Sequence, residues 1–226
     1  MNPKIVLLDL DNTLIDFNEC ARRSIIDVFK KFGFEYNENV YETFIRENVK
    51  IWKRLEKGEI TKTQLRADRW NIILDKLGID FDGAVFEELF ENGVASYACP
   101  VKYAYELLDY LKDKYPLYVV SNGFRAIQES RLKIGNFEKY FQDVFVSEDV
   151  GVAKPDKRFF DYVFSKIGNL DKNDVILIGD SFFADIVGGS NYGIKTIWFN
   201  KTREECPDNT KPTYTVSDLS EIKNII

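Results

Sequence analysis

The chain has 226 residues, 45% hydrophobic and 15% aromatic, which is enough for one globular domain carrying a sizeable insertion. Its 31 Lys and Arg stand against 37 Asp and Glu, a net charge of −6 that argues against a basic face for a nucleic-acid polymer. It has no histidine, which excludes Ser-His-Asp triads, histidine phosphatases and His-ligated metal sites.

From the N-terminus, Ile5-Val-Leu-Leu-Asp9 is an apolar run too short, and too soon interrupted by an acid, for a signal peptide; it reads as a buried parallel strand. The stretch from Phe17 to Cys99 is helical in period and lacks a comparable strand run. Within it Ala21, Ile25, Val28 and Phe32 share a face, and Thr61-Lys-Thr-Gln64 forms a capping box before a helix carrying Trp70, Ile73, Leu74 and Leu77. Gly33 and Gly78 mark helix ends. Beyond this stretch, Ala104, Leu107, Leu108 and Leu111 predict a helix, Leu117-Tyr-Val-Val-Ser121 and Val144-Phe-Val-Ser147 strands, and Phe160, Val163, Phe164 and Ile167 another helix. Gly135 and Gly168 stand where left-handed C-caps are expected. Val175-Ile-Leu-Ile-Gly179 and Thr196-Ile-Trp-Phe199 complete the strand set, and Cys206 to Pro212 reads as a loose loop. The expectation is an α/β fold: a doubly wound parallel sheet formed by residues 1–16 and 100–226, with residues 17–99 inserted as a helical cap.

The chemistry-bearing residues cluster at predicted strand ends. Asp9 and Asp11 end the first strand, with Asn12 and Thr13 following; two carboxylates that close need a cation or a shared proton. Ser121-Asn122-Gly123 follows the second strand with a hydroxyl and a flexible turn whose N–H groups suit anionic oxygens. Lys154 precedes Pro155 and a helix beginning near Asp156, Gly179-Asp180 ends the fourth strand, and Asp185 lies five residues on. Together these suit a divalent metal and a phosphate. Each motif alone is a common turn, and the inference rests on their joint order. Gly188 to Thr196 fails as a P-loop because helix precedes strand; the Gly188-Gly189 pair instead reads as a close helix–strand approach. The cysteines Cys20, Cys99 and Cys206 are odd in number and widely spaced, and none has an Arg six residues on, as cysteine phosphatases require.

This set, in this order, resembles the four motifs of the haloacid dehalogenase superfamily. The resemblance implies Asp9 as nucleophile toward phosphorus, Asp11 as acid and base, and Ser121 and Lys154 on the phosphoryl oxygens. It further implies Mg²⁺ on Asp9, the Asp11 backbone carbonyl and Asp180, with Asp185 supporting the metal's water ligands. Asp11 favours a phosphate ester over a halide, and a helical insertion after the first strand is similar to caps that close over small substrates. Asn48, Trp52, Gly58-Glu-Ile-Thr61, Leu65 and Arg69, with Ser121-Asn-Gly-Phe124, Gln128, Arg131-Leu132 and Ser147 to Pro155, resemble bacterial YjjG-type pyrimidine 5'-nucleotidases. On that resemblance Asn48, Trp52, Arg69, Asn122 and Gly123 are candidate substrate contacts; Trp52 and Trp70 are read either as base-stacking or, preferably, as packing between cap and core. A sugar-phosphate or phosphoglycolate phosphatase, a phosphomutase and a non-catalytic phosphometabolite-binding domain are the alternatives. Cysteine usage and the lack of a leader or a spanning segment fit a cytoplasmic protein, acting as a monomer or weak homodimer on a small phosphate ester without membrane or nucleic-acid partners.

Overall fold

Strand β1, Ile5–Leu8, is buried along its whole length, and the chain leaves it through Asp9. The structure is a computed structural model that describes residues 3–168, 170–207 and 209–226, and it divides into two compact units, residues 1–16 with 99–226, and residues 17–98.

The second unit is four helices, α1 (Phe17–Phe32), α2 (Glu38–Glu56), α3 (Lys62–Leu77) and α4 (Gly83–Ala95). Helix α3 begins at the capping box read from sequence: Thr61 accepts from the Gln64 backbone N–H, and Gln64 accepts from that of Thr61. Gly33 and Gly78 take left-handed φ of +72° and +67°. The apolar faces of the four helices meet in an aromatic core in which Trp70 is fully buried and stacks with Phe44, with Phe86 and Phe90 against its other edges. Phe32, expected on the buried face of α1, is 38% exposed, and the neighbouring Phe29 is buried instead.

The first unit continues with α5 (Ala104–Lys112), β2 (Leu117–Ser121), α6 (Arg125–Ile134), β3 (Asp143–Val146), a short α7 (Ser147–Val150), α8 (Lys157–Ile167) and β4 (Val175–Gly179). A π-helical segment, Phe182–Val187, then runs into α9 (Gly188–Tyr192), followed by β5 (Lys195–Phe199) and β6 (Tyr214–Val216). All six strands are parallel, in the order β3-β2-β1-β4-β5-β6. Chain direction across the sheet therefore reverses at β1, the switch point at which open α/β sheets form their ligand crevice. Helices α5 and α8 bury residues that their periodicity selects, Leu107, Leu108 and Leu111, then Phe160 and Val163, whereas Phe164 and Ile167 are only partly buried and Phe159 is buried beside them; α6 buries Gln128, Arg131 and Leu132. Strand β6 is absent from the sequence reading because its three residues at the sheet edge bury only Val216. Gly135 is not a left-handed cap: its φ is −80°, and Asn136 takes the positive φ instead. Gly168 has a positive φ of 101° but an extended ψ. Gly188 and Gly189 do mark a close approach, since a Cβ on Gly189 would lie 2.7 Å from the Thr196 methyl and one on Gly188 3.0 Å from Pro155. Among the described residues, no helix is long and apolar enough to cross a membrane.

Candidate active site

Parallel register carries three loops to the same edge of the sheet. Leu8 pairs with Val119 on one side and Ile178 on the other, so the residues following β1, β2 and β4 emerge together. The Asp9 backbone N–H donates to Ile178 at 2.9 Å.

Asp9 is 7% exposed, and its two carboxylate oxygens have different neighbours. Oδ1 accepts from Lys154 Nζ at 2.9 Å, and Oδ2 lies 3.1 Å from the Thr13 hydroxyl. Thr13 also accepts the Asp180 N–H at 3.1 Å and sits 3.3 Å from the Asp180 carboxylate, tying the loop after β1 to the loop after β4. Lys154, 1% exposed, makes three contacts: to Asp9, to Asp185 Oδ1 at 2.6 Å and to the Val120 carbonyl at 2.7 Å. Its position is fixed by Asn122, which donates to the Lys154 carbonyl at 2.9 Å and accepts the Lys154 N–H at 2.8 Å. The Asn122 side chain, expected on the substrate, is thus turned to the Lys154 backbone.

One carboxylate oxygen from each of Asp9, Asp180 and Asp185 lies within 4.8 Å of the others. Burial pushes the Asp9 carboxyl up to about 7, against the pull of Lys154 and with repulsion from Asp185 and Asp11 adding to it. Burial, and then repulsion from Asp9 and Asp185, likewise raises Asp180 well above the usual carboxylate range. Burial alone would lower Lys154, but the two carboxylates beside it outweigh that and raise it, so it remains a cation. Asp185 is fully buried: Oδ1 faces Lys154 and Oδ2 accepts the Ser181 N–H at 3.1 Å, which fits support of the site from behind. The Gly at position 179 has a steric cause, because a Cβ there would lie 2.2 Å from Asp185 Oδ2.

The Asp11 side chain is 28% exposed and forms a buried-side ion pair with Arg131. It also accepts from the Gln128 amide, which donates in addition to Ser121 Oγ at 2.8 Å. Ser121 Oγ accepts the Gly123 N–H at 3.0 Å as well, so its lone pairs are occupied and its own proton is left to be donated. Neither Gln128 nor Arg131 stood among the candidate site residues. Their signal was two long polar side chains one helical turn apart in the helix directly after Ser121-Asn-Gly.

In the helical unit, Asn48 and Arg69 are buried, and Arg69 donates to Glu87 Oε2 at 3.0 Å and to Asn48 Oδ1 at 3.3 Å. Two of the expected base contacts therefore face one another and an acid, not open space. Burial, offset by Arg69, raises the Glu87 carboxyl. Trp52 is half-buried, whereas Trp70 belongs to the aromatic core of the unit.

A family model described as haloacid dehalogenase-like hydrolase matches residues 3–193. Pyrimidine 5'-nucleotidase YjjG of Escherichia coli is 31% identical over 221 residues, 98% of this chain and 96% of that protein. Pyrimidine 5'-nucleotidase PynA of Streptococcus pneumoniae is 33% identical over 229 residues, 99% of this chain and 97% of that one. A crystal structure of YfnB from Bacillus subtilis, bound to magnesium, superposes with a TM-score of 0.94 at 29% identity, covering 100% of this chain and 99% of that one.

Proposed function

The chain belongs to the haloacid dehalogenase-like hydrolases and is a phosphatase, and we propose that it hydrolyses pyrimidine nucleoside 5'-monophosphates in a Mg²⁺-dependent reaction that passes through a phosphate carried on Asp9.

The chemistry follows from the placement of the two aspartates. Asp9 attacks phosphorus; an Asp9 oxygen–phosphorus bond forms and the ester oxygen–phosphorus bond breaks. Asp11 gives its proton to the departing alkoxide, then takes one from the water that attacks the phosphate on Asp9, releasing inorganic phosphate and restoring both carboxyl groups. Lys154 and the Ser121 hydroxyl face the negative phosphoryl oxygens, with the Gly123 turn behind them.

The donor set fits a hard cation. When ionised, Asp9, Asp11, Asp180 and Asp185 bring four negative charges against two from Lys154 and Arg131; burial first and mutual repulsion second raise Asp9 and Asp180, and a divalent ion would offset both. Asp9, Asp180 and the Asp11 backbone carbonyl would hold the ion, with Asp185 behind. When bound, Mg²⁺ would neutralise these carboxylates and polarise the phosphate.

One observation carries the phosphatase chemistry: a second carboxylate, partly exposed, stands two residues beyond the buried Asp9 and is held by its own donors. An alkoxide leaving group needs such an acid. The nucleotide preference is supported by the two pyrimidine 5'-nucleotidase relatives, which align along nearly the whole chain. Phosphate release should be measured with purified protein and Mg²⁺ across pyrimidine and purine monophosphates, hexose phosphates and phosphoglycolate. Highest kcat/KM on UMP, dUMP or dTMP is the expected result. A sugar phosphate that outranks every pyrimidine nucleotide overturns the nucleotide assignment, and an isomerised sugar phosphate without free phosphate would indicate a mutase.

A further inference from the structure

We propose that Arg131 and Gln128, neither of which reaches phosphorus in the reaction above, are positioning residues that hold Asp11 for proton transfer and turn the Ser121 hydroxyl toward the phosphoryl group. The inference rests on the reading of Asp11 as acid and base.

Both residues lie on α6, three positions apart, and both are 1% exposed. Their hydrogen bonds are directional and mutually consistent. Arg131 Nη1 donates to Asp11 Oδ1 and, at 3.1 Å, to Gln128 Oε1. That fixes the amide: its oxygen faces Arg131, so its nitrogen must face the other way, where one hydrogen goes to Asp11 Oδ2 and the other to Ser121 Oγ. Both oxygens of Asp11 thereby receive a donor from the α6 side. A flipped Gln128 would set its oxygen against the Asp11 carboxylate and its NH₂ against Arg131, so the arrangement has one stable orientation.

Burying a guanidinium inside an α/β core is costly unless it is paired, and an apolar residue at the same face of α6 would pack as well. The cost is incurred where it immobilises a carboxylate that is otherwise 28% exposed and free to change rotamer. Gly123 belongs to the same device. A Cβ there would lie 2.2 Å from Gln128 Nε2, so only glycine lets the amide reach Ser121 and Asp11 together. A carboxylate held by two donors on one side presents its remaining lone pairs to the mouth of the site, where a leaving alkoxide or an incoming water would stand. Orientation of this kind acts on the proton-transfer steps, which general acid–base catalysis typically accelerates by about 10²–10⁴-fold.

The two residues separate by leaving group. Arg131 acts through Asp11, so Arg131→Met should lower kcat on an alkyl phosphate, UMP or glycerol phosphate, by about 10²-fold with little change in KM. Formation of the phosphoenzyme from p-nitrophenyl phosphate needs no acid, because nitrophenolate leaves unprotonated. Its stopped-flow burst should therefore keep its rate within about threefold, while the steady state that follows is slow because Asp11 no longer activates water. Gln128→Met also releases Ser121 and should slow the burst as well, by about tenfold. Arg131→Lys keeps the charge and loses the planar fork, so it serves if the Met variant fails to fold; it should show the same alkyl-over-aryl split at about tenfold. Equal losses in the rate of phosphoenzyme formation from alkyl and aryl substrates in the Lys variant, or no loss in that rate on either, overturn the positioning role while leaving the phosphatase reading intact. A wild-type protein that releases phosphate from neither substrate overturns both.

Discussion

The position that tests the geometry most directly is Gly179, where adding a single methyl group should dismantle the site from behind. Its ideal Cβ would lie 2.2 Å from Oδ2 and 2.4 Å from Cγ of Asp185, well inside ordinary contact, so the carboxylate must retreat by about 1 Å or more. Asp185 is fully buried between Lys154 and the Ser181 N–H and has no solvent into which to swing. Overpacking alone costs about 1–3 kcal/mol, and complete separation of a buried pair such as Asp185–Lys154 about 3–5 kcal/mol. Gly179→Ala should therefore lose roughly 2–5 kcal/mol, which for a chain of this size is about 4–20 °C in Tm. Activity should fall as well, because Lys154 is the group that holds Asp9. Gly58→Ala is the control: its left-handed φ of +72° costs about 1–2 kcal/mol, but nothing lies within 4 Å of the new methyl and turnover should be unchanged. Thermal unfolding and phosphate release would be followed for both variants. If Gly179→Ala melts and turns over like wild type, the packing of Asp185 against that strand end is wrong.

Stability in chelator should fall as pH rises through about 7: Asp9 and Asp180 have raised carboxyl groups, so between their unfolded and folded values the folded state binds more protons than the unfolded one. Saturating Mg²⁺ should remove most of that fall; differential scanning fluorimetry from pH 6 to 8 in EDTA would refute this if Tm climbed with pH. Asp9→Asn should abolish turnover, and acid-quenched wild-type enzyme should carry phosphate on the peptide containing Asp9; inversion instead of retention of configuration at phosphorus, followed with an isotopically chiral phosphate ester, would indicate direct water attack. Activity should vanish in excess chelator and return with Mg²⁺, and Asp180→Asn should raise the Mg²⁺ concentration needed for half-activity; unchanged metal dependence would remove Asp180 from the ligand set. In the helical unit, Arg69→Met strands Glu87 in a buried site and should cost about 3–5 kcal/mol, whereas Arg69→Met with Glu87→Leu should recover most of it; denaturant melts that show no recovery would mean that Arg69 does more than neutralise Glu87.

Much of this protein was determined locally by its sequence. Unbroken apolar runs such as Val175 to Ile178 are strands buried on both faces, and the register of period, cap and glycine located α3 at Thr61 to Gly78. The order of Asp9, Asp11, Ser121, Lys154, Asp180 and Asp185 along the chain pointed to phosphate chemistry because each falls at a strand end or in the segment that follows one, and parallel strands bring such segments to one edge. What the sequence did not contain is which side chains satisfy one another. Asn122 and Arg69 have the chemistry to bind a substrate, but burial made each serve a neighbour, Lys154 in one case and Glu87 in the other. Gln128 and Arg131 lie 117 and 120 residues from Asp11, and no local pattern couples them to it. Only the tertiary fold, which brings one face of α6 to Asp11 and Ser121, delivers their donors to its carboxylate. The same holds for Gly123 and Gly179, whose missing side chains leave room for Gln128 and Asp185 and have no meaning until those residues arrive from elsewhere in the fold.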